Sequence, residues 1–377
     1  MATVLLAALF VVRGILHPEL NYDVIAYATL AKQMRGDGGK AEAYRELASK
    51  VGTSGFQLYV SGPYRERMYR DDGFFQANLR RYAIRPFYIA LCSVVGSWVH
   101  SDVAATHIIS AVSAALAILL SYVVAGIAGL TGKWRLAVPL TWIAAAGLNL
   151  AGLSTPDALE TLVTLLFVLT SATGPWKGVR AACLILLAVL MVTTRSDALL
   201  LVTILMLVEW LLEPRHRLIS TLVFMATLAT YLLIQKLSGT YADLETLNFL
   251  VQQSPDVVPN LVPDLQGYIL IAIHQTLQSL GENFEYVLMF PAISLLAIAW
   301  FHEQRVRAAR EADGFNQRAL ILSAALAVYI AVRFVLFPLP SPRYLMNAYV
   351  LAGILFARAI QPTAPTQSDP KLSSAAP

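Results

Sequence analysis

Residues 103–128 read VAATHIISAVSAALAILLSYVVAGIA, an apolar run without Lys, Arg, Asp or Glu. A helix rises 1.5 Å per residue, so about 20 residues cross a hydrocarbon core of about 30 Å. Backbone amides in lipid must be satisfied within the segment, and the chain shows no alternating barrel pattern. The run therefore predicts a membrane-spanning helix.

Comparable apolar runs recur along the whole chain. They occupy about residues 1–16, 86–100, 136–153, 157–173, 180–194, 197–212, 217–236, 285–301, 318–337 and 343–360. Hydrophobic residues make up 57% of the 377 and charged residues 14%, and the mean hydropathy of +0.60 leaves no room for a large soluble domain. No nucleic-acid-binding motif is present. We expect an all-α polytopic membrane protein with about ten transmembrane helices and an outer-surface juxtamembrane helical segment.

The positions of the basic loops indicate which of these apolar runs does not cross the membrane. If every run crossed the bilayer, these loops would lie on the same side as the long polar segment 17–83. The run 86–100 is short, follows Arg85 and ends with Trp98 and His100. Placing it in the interface makes every basic loop cytoplasmic, as the orientation rule requires. The loops carry Lys133, Arg135, Lys177, Arg180, Arg215, Arg217, Arg305, Arg307, Arg310 and Arg318.

This topology gives one transmembrane domain over residues 1–360, with both termini in the cytoplasm. Two segments, 17–102 and 237–284, lie on the outer side of the membrane. The tail 361–377 has few apolar residues and is expected to be disordered. Cys92 and Cys183 lie in unrelated apolar runs and are expected to be buried hydrophobic residues.

Charged groups at the outer ends of the spans are candidates for a site, because charge near a bilayer is costly and tends to be functional. The candidates are Asp23, Arg80, Arg81, Arg85, Asp157, Glu160, Arg195, Asp197, Arg333, Arg343 and Tyr344. Simpler roles stay open for some of them. Asp157 suits a helix N-terminus, Arg195 and Asp197 suit a local ion pair, and Arg80 and Arg81 suit lipid headgroup contacts.

Together these groups place carboxylates and guanidiniums around one cavity in the outer leaflet. Guanidiniums match phosphate oxygens in geometry, and a nearby carboxylate can accept the proton of a hydroxyl. The combination favours transfer of a group from a lipid phosphate, with inversion at the glycosyl centre, because a single displacement needs no covalent intermediate.

Several motifs, taken in their order along the chain, resemble those of a known protein family. Residues 23–37, DVIAYATLAKQMRGD, resemble the segment after the first span of GT-C glycosyltransferases, in the branch of the lipid A aminoarabinose transferase and the protein O-mannosyltransferases. Residues 85–96, RPFYIALCSVVG, are similar to that family's juxtamembrane helix. Later family landmarks are resembled by STPDAL at 154–159, TRSDALL at 194–200 and PRYL at 342–345.

The resemblance implies an enzyme of the bacterial inner membrane with its site on the periplasmic side. Its donor would be a polyprenyl-phosphate-linked sugar and its acceptor a glycan, lipid or protein. Asp23 would be the general base, Tyr27 and Asp157 would line the substrate cavity, and Arg343, Arg195 or Arg333 would hold the lipid phosphate. Val24 stands where the family usually has a second acid, and this departure argues against assistance by a metal ion. Glu19 or Asp157 could supply the acid instead, so a divalent cation is the one cofactor left open.

Two other functions compete with this interpretation. A GT-C-like flippase or accessory protein for lipid-linked sugars would share the architecture, but a flippase favours polar residues in mid-span, where this chain has mainly Ala, Leu, Val and Ile. A polymerase or ligase of lipid-linked glycans would share the chemistry. Its largest outer loop should come late in the chain, whereas the longest polar segment here, 17–83, comes early.

Overall fold

The computed structural model describes residues 1–144, 147–239, 265–282, 314–336 and 342–360. Within these ranges every regular element is a helix and no strand occurs. The one β contact in these ranges is an isolated bridge between Glu19 and Leu153. The all-helical class predicted from the sequence is therefore confirmed for this part of the chain.

The first six helices cover the N-terminal run, the polar segment 17–83 and the apolar run 86–100. They are α1 (Ala2–Leu16), α2 (Asp23–Arg35), α3 (Lys40–Val60), α4 (Pro63–Arg70), α5 (Asp72–Ala83) and α6 (Pro86–Val99). The remaining described helices are α7 (Asp102–Ile127), α8 (Gly132–Ala144), α9 (Gly147–Gly152), α10 (Asp157–Ala172), α11 (Val179–Thr194), α12 (Ala198–Leu212), α13 (Arg217–Ser238), α14 (Leu265–Glu282), α15 (Gly314–Leu336) and α16 (Met346–Ile360). Short 3-10 turns precede α13 and α16.

Helix α7 is the centre of the bundle and packs against α1, α6 and α10. Small residues make these contacts close: a Cβ on Gly14 of α1 would come within 2.6 Å of the Ala111 Cβ on α7. Ala114, Ala117 and Ala125 on α7 are fully buried. Small residues at helix contacts are typical of bundles in membranes, where backbones approach closely.

Among the described residues, two helices are long and apolar enough to cross a membrane, Asp102–Ile127 and the continuous helical stretch Pro214–Ser238. The bent pair of α5 and α6 adds a third if it is counted as one span. Shorter apolar helices are Ala2–Leu16, Val179–Thr194, Ala198–Leu212 and Ile321–Arg333. Helices of 15 or 16 residues measure about 24 Å, short of a full hydrocarbon core, so the count of ten spans is not confirmed.

The polar segment 17–83 folds into four helices with a hydrophobic cluster of its own. Val24 and Ile25 of α2 are buried in it with Leu47 of α3 and Phe75 of α5. The opposite face of α2, including Tyr27, is buried in the main core. Because both faces of α2 are covered, the position of its first residue, Asp23, is fixed.

A charged network at the start of α7 joins the polar helices to the bundle. The Asp102 carboxylate is 1% exposed; it accepts two hydrogen bonds from Arg35, at 2.8 and 2.7 Å, and pairs with Lys32 at 2.8 Å. Lys32 also pairs with Glu46 at 2.8 Å, and Glu46 accepts from the Ser101 hydroxyl. The sequence interpretation did not identify this network.

The run 86–100 corresponds to α6, which meets α5 at an angle of 104°. Its orientation in the interface remains a prediction. The run 136–153 is predicted as a single span; its described residues form α8, which contains Pro139, and α9, and residues 145–146 between them lie outside the described ranges. Most of the predicted outer segment 237–284, the run 285–301 and the tail 361–377 lie outside the described residues.

The two ends of α10 distinguish the two ends of the bundle. The C-terminal ends of α7, α10 and α12, each of which is followed by a basic loop, lie together around one cavity. We call this end of the bundle the Ala172 end. The corners at 153–156, 195–197 and 342–345 meet at the opposite Asp157 end. The candidate site residues gather there.

Candidate functional site

Asp23 is the first residue of α2 and is partly exposed. Its carboxylate accepts two hydrogen bonds: Asn21 Nδ2 donates to Oδ2 at 2.9 Å, and the Tyr82 hydroxyl donates to Oδ1 at 3.1 Å. These donors orient the carboxylate while leaving it acceptor capacity, since an ionised carboxylate has about four lone-pair sites.

Tyr27 is fully buried one turn further along α2. Its ring contacts Tyr82 and Tyr88 edge to face, with centroids 5.4 and 4.8 Å apart. The Arg85 guanidinium donates to the Tyr27 hydroxyl and lies over the Tyr27 and Tyr82 rings. Burial raises the pKa of Tyr27 well above its ordinary value although Arg85 opposes the shift, so Tyr27 is a neutral hydroxyl.

Arg195 lies at the corner between α11 and α12 and is held by two carboxylates. It makes a bidentate contact with Asp197, from Nε at 2.9 Å and Nη2 at 2.7 Å, and it also pairs with Asp157 at the start of α10. Arg333 of α15 contacts the same Asp197 at 2.8 Å. The predicted local pair of Arg195 and Asp197 therefore forms, and it belongs to a larger buried network that joins four helices.

The Tyr344 ring lies among three guanidiniums. Arg343, Arg195 and Arg333 have their guanidinium carbons 4.5, 5.1 and 5.4 Å from its centroid. Arg343 also donates to the Tyr344 hydroxyl. A cation at such distances from an aromatic face is attracted by the ring quadrupole, so Tyr344 helps to hold these cations together.

Glu160 lies one turn after Asp157 on α10, deeper in the bundle. It accepts a hydrogen bond from Asn347 Nδ2 at 2.6 Å, and both side chains are buried. This contact ties α10 to α16 beside the arginine network. Thr155 adds a local contact, donating to Asp157 at 2.7 Å.

The Asp23 group and the arginine network form one cluster. Arg85 interacts electrostatically with Asp23, Asp157 and Arg195, and Arg343 interacts with both of the same aspartates. The structure therefore brings together Asp23, Tyr27, Arg85, Asp157, Glu160, Arg195, Asp197, Arg333, Arg343 and Tyr344. Arg80 is exposed on α5 and is not among them; Arg81 is half-buried and interacts electrostatically with Tyr64.

The arginines of the cluster differ in their partners. Arg195 and Arg333 are paired with aspartates. Arg85 and Arg343 contact tyrosine hydroxyls instead, and among the described residues neither has a carboxylate within ion-pair distance. These two guanidiniums are the ones available to an anionic ligand.

Three polar residues of the cluster were missed by the sequence interpretation: Asn21, Tyr82 and Asn347. Spacing offered a signal for two of them. Tyr82 precedes Arg85 by three residues and Asn347 follows Tyr344 by three, so each lies close in the chain to a residue that the sequence interpretation had selected.

The acids suggested as a metal site have other partners. Glu19 pairs with Arg13 at 2.9 Å, Asp157 pairs with Arg195, and Val24 is fully buried in the hydrophobic cluster of segment 17–83. Throughout the described ranges no group of three or more His, Cys, Asp or Glu side chains is placed to hold a metal ion. These residues do not fit a cation site beside Asp23.

Comparison with models of protein families, with curated proteins and with solved structures finds no significant match to this chain.

Proposed function

We propose that this chain is a GT-C-like integral membrane glycosyltransferase that moves a sugar from a polyprenyl-phosphate donor to an acceptor hydroxyl or amine, with inversion. One arrangement carries the proposal: Tyr82, which donates a hydrogen bond to Asp23, also lies beneath the Arg85 guanidinium. Arg85, and Arg343 beside Tyr344, have no carboxylate partner among the described residues. A base next to two available cations is what transfer from a lipid phosphate requires.

Asp23 and the two arginines have different roles in the proposed reaction. Asp23 accepts the proton of the acceptor nucleophile as that atom bonds to C1 of the sugar. The bond from C1 to the phosphate oxygen breaks with its electron pair, and the lipid phosphate leaves. Arg85 and Arg343 bind the phosphate oxygens and stabilise the developing charge. Asp23 then releases its proton to water.

This assignment revises the roles expected from the sequence. Arg195 and Arg333 were expected to hold the phosphate, but their aspartate contacts suit them to positioning instead. They fix Tyr344, and through it Arg343, while Asp157 and Asp197 balance their charge. Glu160 and Tyr27 support the same cluster from α10 and α2.

The proposal includes the topology. The Asp157 end faces the periplasm, the basic loops at the Ala172 end face the cytoplasm, and about ten helices cross a bacterial inner membrane. The acceptor is a glycan, lipid or protein that reaches the cluster from the periplasmic side. The exposed apolar side chains of α1, α7 and α13, such as Leu9, Leu116 and Leu232, support contact with lipid.

Turnover of a lipid-linked sugar tests the proposal. Membranes containing the wild-type chain are supplied with radiolabelled polyprenyl-phosphate sugars, and release of polyprenyl phosphate is measured. We expect release by the wild type and a loss of about 100-fold in Arg85→Met and Arg343→Met, since each removes a charged hydrogen bond to the leaving phosphate. Arg80→Met replaces an exposed arginine on α5; it is the control and should retain full turnover.

Release that is equally fast in all three variants would refute the assignment of Arg85 and Arg343 to the phosphate. A folded wild type that releases no polyprenyl phosphate from any of the sugars would favour an accessory role.

A further inference from the structure

The Ala172 end of the bundle contains a cavity that the proposed transferase does not use. Its volume is about 680 Å³, within the range of ~300–1,000 Å³ typical of ligand pockets. The Asp157 cluster lies at the other end of α10, roughly 22 Å away at 1.5 Å per residue. The cavity is therefore separate from the cluster around Asp23.

The walls of the cavity are mostly hydrocarbon. They include Phe167, Leu205, Met206, Leu326, Leu351 and Ile354, which come from α10, α12, α15 and α16. An apolar cavity of this size stabilises an apolar ligand by removing its surface from water.

One wall of the cavity is polar and buried. His216 Nδ1 lies 3.1 Å from Glu209 Oε2, and both residues are less than a tenth exposed. The imidazole stacks on the Trp176 indole, with centroids 4.4 Å apart and planes 3° from parallel, and Trp176 donates to the Ser171 carbonyl. These contacts fix the polar wall in place.

Two cations lie at the edge of this wall. Arg215 lines the cavity beside His216; its side chain is 75% exposed, and its Nε pairs with Glu213 at 3.1 Å. The Arg180 guanidinium lies against Gly174, another lining residue. A hydrocarbon interior with cations at its edge matches an amphipathic anion whose chain enters and whose head stays at the surface.

We propose that this cavity binds a hydrocarbon chain of an anionic phospholipid from the leaflet at the Ala172 end, with the phosphate at Arg215 and Arg180. Basic residues near a membrane surface attract anionic lipids, and basic pockets between transmembrane helices bind their headgroups. The bound lipid fills the space between α10, α12 and α16 and holds these helices together.

The test uses the purified full-length chain in nanodiscs made of equal parts dioleoyl phosphatidylglycerol and dioleoyl phosphatidylcholine. The protein is released into mild detergent, and retained lipid is identified by native mass spectrometry. The wild type should retain one phosphatidylglycerol per chain, in preference to phosphatidylcholine.

Two tryptophan variants on the same helix separate cavity binding from surface lipid. Leu205→Trp fills the cavity and should reduce retained phosphatidylglycerol at least tenfold. Leu207→Trp is the matched control, because Leu207 is 54% exposed and does not line the cavity; it should retain as much lipid as the wild type. Equal retention by the two variants would overturn the proposal, and so would a wild type that retains no lipid.

A second variant keeps the test valid if Leu205→Trp does not fold. The double variant Arg180→Gln/Arg215→Gln removes the two cations at the edge of the cavity and leaves its apolar walls unchanged. The preference for phosphatidylglycerol should fall roughly fivefold for each arginine. An unchanged preference would overturn the assigned headgroup site. None of these outcomes depends on sugar transfer.

Discussion

The Tyr82 hydroxyl of α5 donates a hydrogen bond to Asp23 Oδ1 of α2 at 3.1 Å, joining two helices that are 59 residues apart in sequence at these positions. Asp23 is the only proposed reacting group of the chain, and Tyr82 orients it without removing its ability to accept a proton. Tyr82 also packs against Tyr27, so it holds both Asp23 and the tyrosine that Arg85 contacts.

Replacing Tyr82 with Phe should lower the rate of sugar transfer about 10- to 100-fold, because a hydrogen bond to a charged group contributes about 1.5–3 kcal/mol. The measurement is single-turnover transfer at saturating donor. Tyr88→Phe is the control, since Tyr88 also packs against Tyr27 but donates to the Thr106 carbonyl and not to Asp23. Equal rates in the two variants would contradict an orienting role for Tyr82.

Replacing Arg195 with Met should destabilise the fold by about 3–5 kcal/mol, because it leaves Asp157 and part of Asp197 buried without their partner. The measurement is reversible unfolding in mixed micelles. Arg70→Met removes an arginine whose side chain is 74% exposed in its pair with Glu66, and it should change stability by less than about 1 kcal/mol. Similar unfolding of both variants would show that the Arg195 network contributes little.

Replacing Gly96 with Ala should destabilise the junction of α6 and α7 by about 1–3 kcal/mol, because the new methyl group would overlap the buried Asp102 carboxylate. Unfolding is again the measurement. Gly281→Ala on α14 meets no atom within 4 Å and should be neutral or slightly stabilising. A Gly96→Ala protein as stable as the wild type would mean that Asp102 is held less firmly than its contacts with Lys32 and Arg35 imply.

Labelling of single cysteines tests the sidedness, in a background where Cys92 and Cys183 are replaced by Ala. Ser97→Cys, exposed on α6, should react with an impermeant thiol reagent added to intact cells. Lys133→Cys, exposed at the start of α8 at the opposite end, should react only after the membrane is opened. The reverse pattern would invert the topology, and the cluster around Asp23 would then face the cytoplasm.

Local signals in the sequence were enough to predict most of the helices. The run 103–128 became α7 almost residue for residue, and 157–173, 180–194 and 197–212 became α10, α11 and α12. Hydropathy predicted a helix over 136–153, and the described residues of this run are helical in α8 and α9; it could not show that α9 would pack against α1 and α7. Nor could it predict the Asp102 network, whose members come from three separated segments.

The sequence also predicted which residues would meet, but not how they would be paired. Charge at the outer span ends was enough to select Asp157, Arg195, Asp197 and Arg343, since each is costly near a bilayer unless it has a partner. The choice of partner depends on the angles between helices. It gives Asp197 two arginines and leaves Arg343 with Tyr344. For this reason the proposed phosphate contact keeps Arg343, loses Arg195 and Arg333, and gains Arg85.

Asp23→Asn gives the most direct test of the account, because it keeps the side-chain shape and removes the proton acceptor. Transfer from a labelled polyprenyl-phosphate sugar is compared with that of Asp72→Asn, an exposed carboxylate in the same segment whose side chain is 87% exposed. We predict a loss of at least about 1,000-fold in Asp23→Asn, with donor binding and unfolding unchanged, and full activity in Asp72→Asn. Transfer by Asp23→Asn at the wild-type rate would contradict the role of Asp23 as the base.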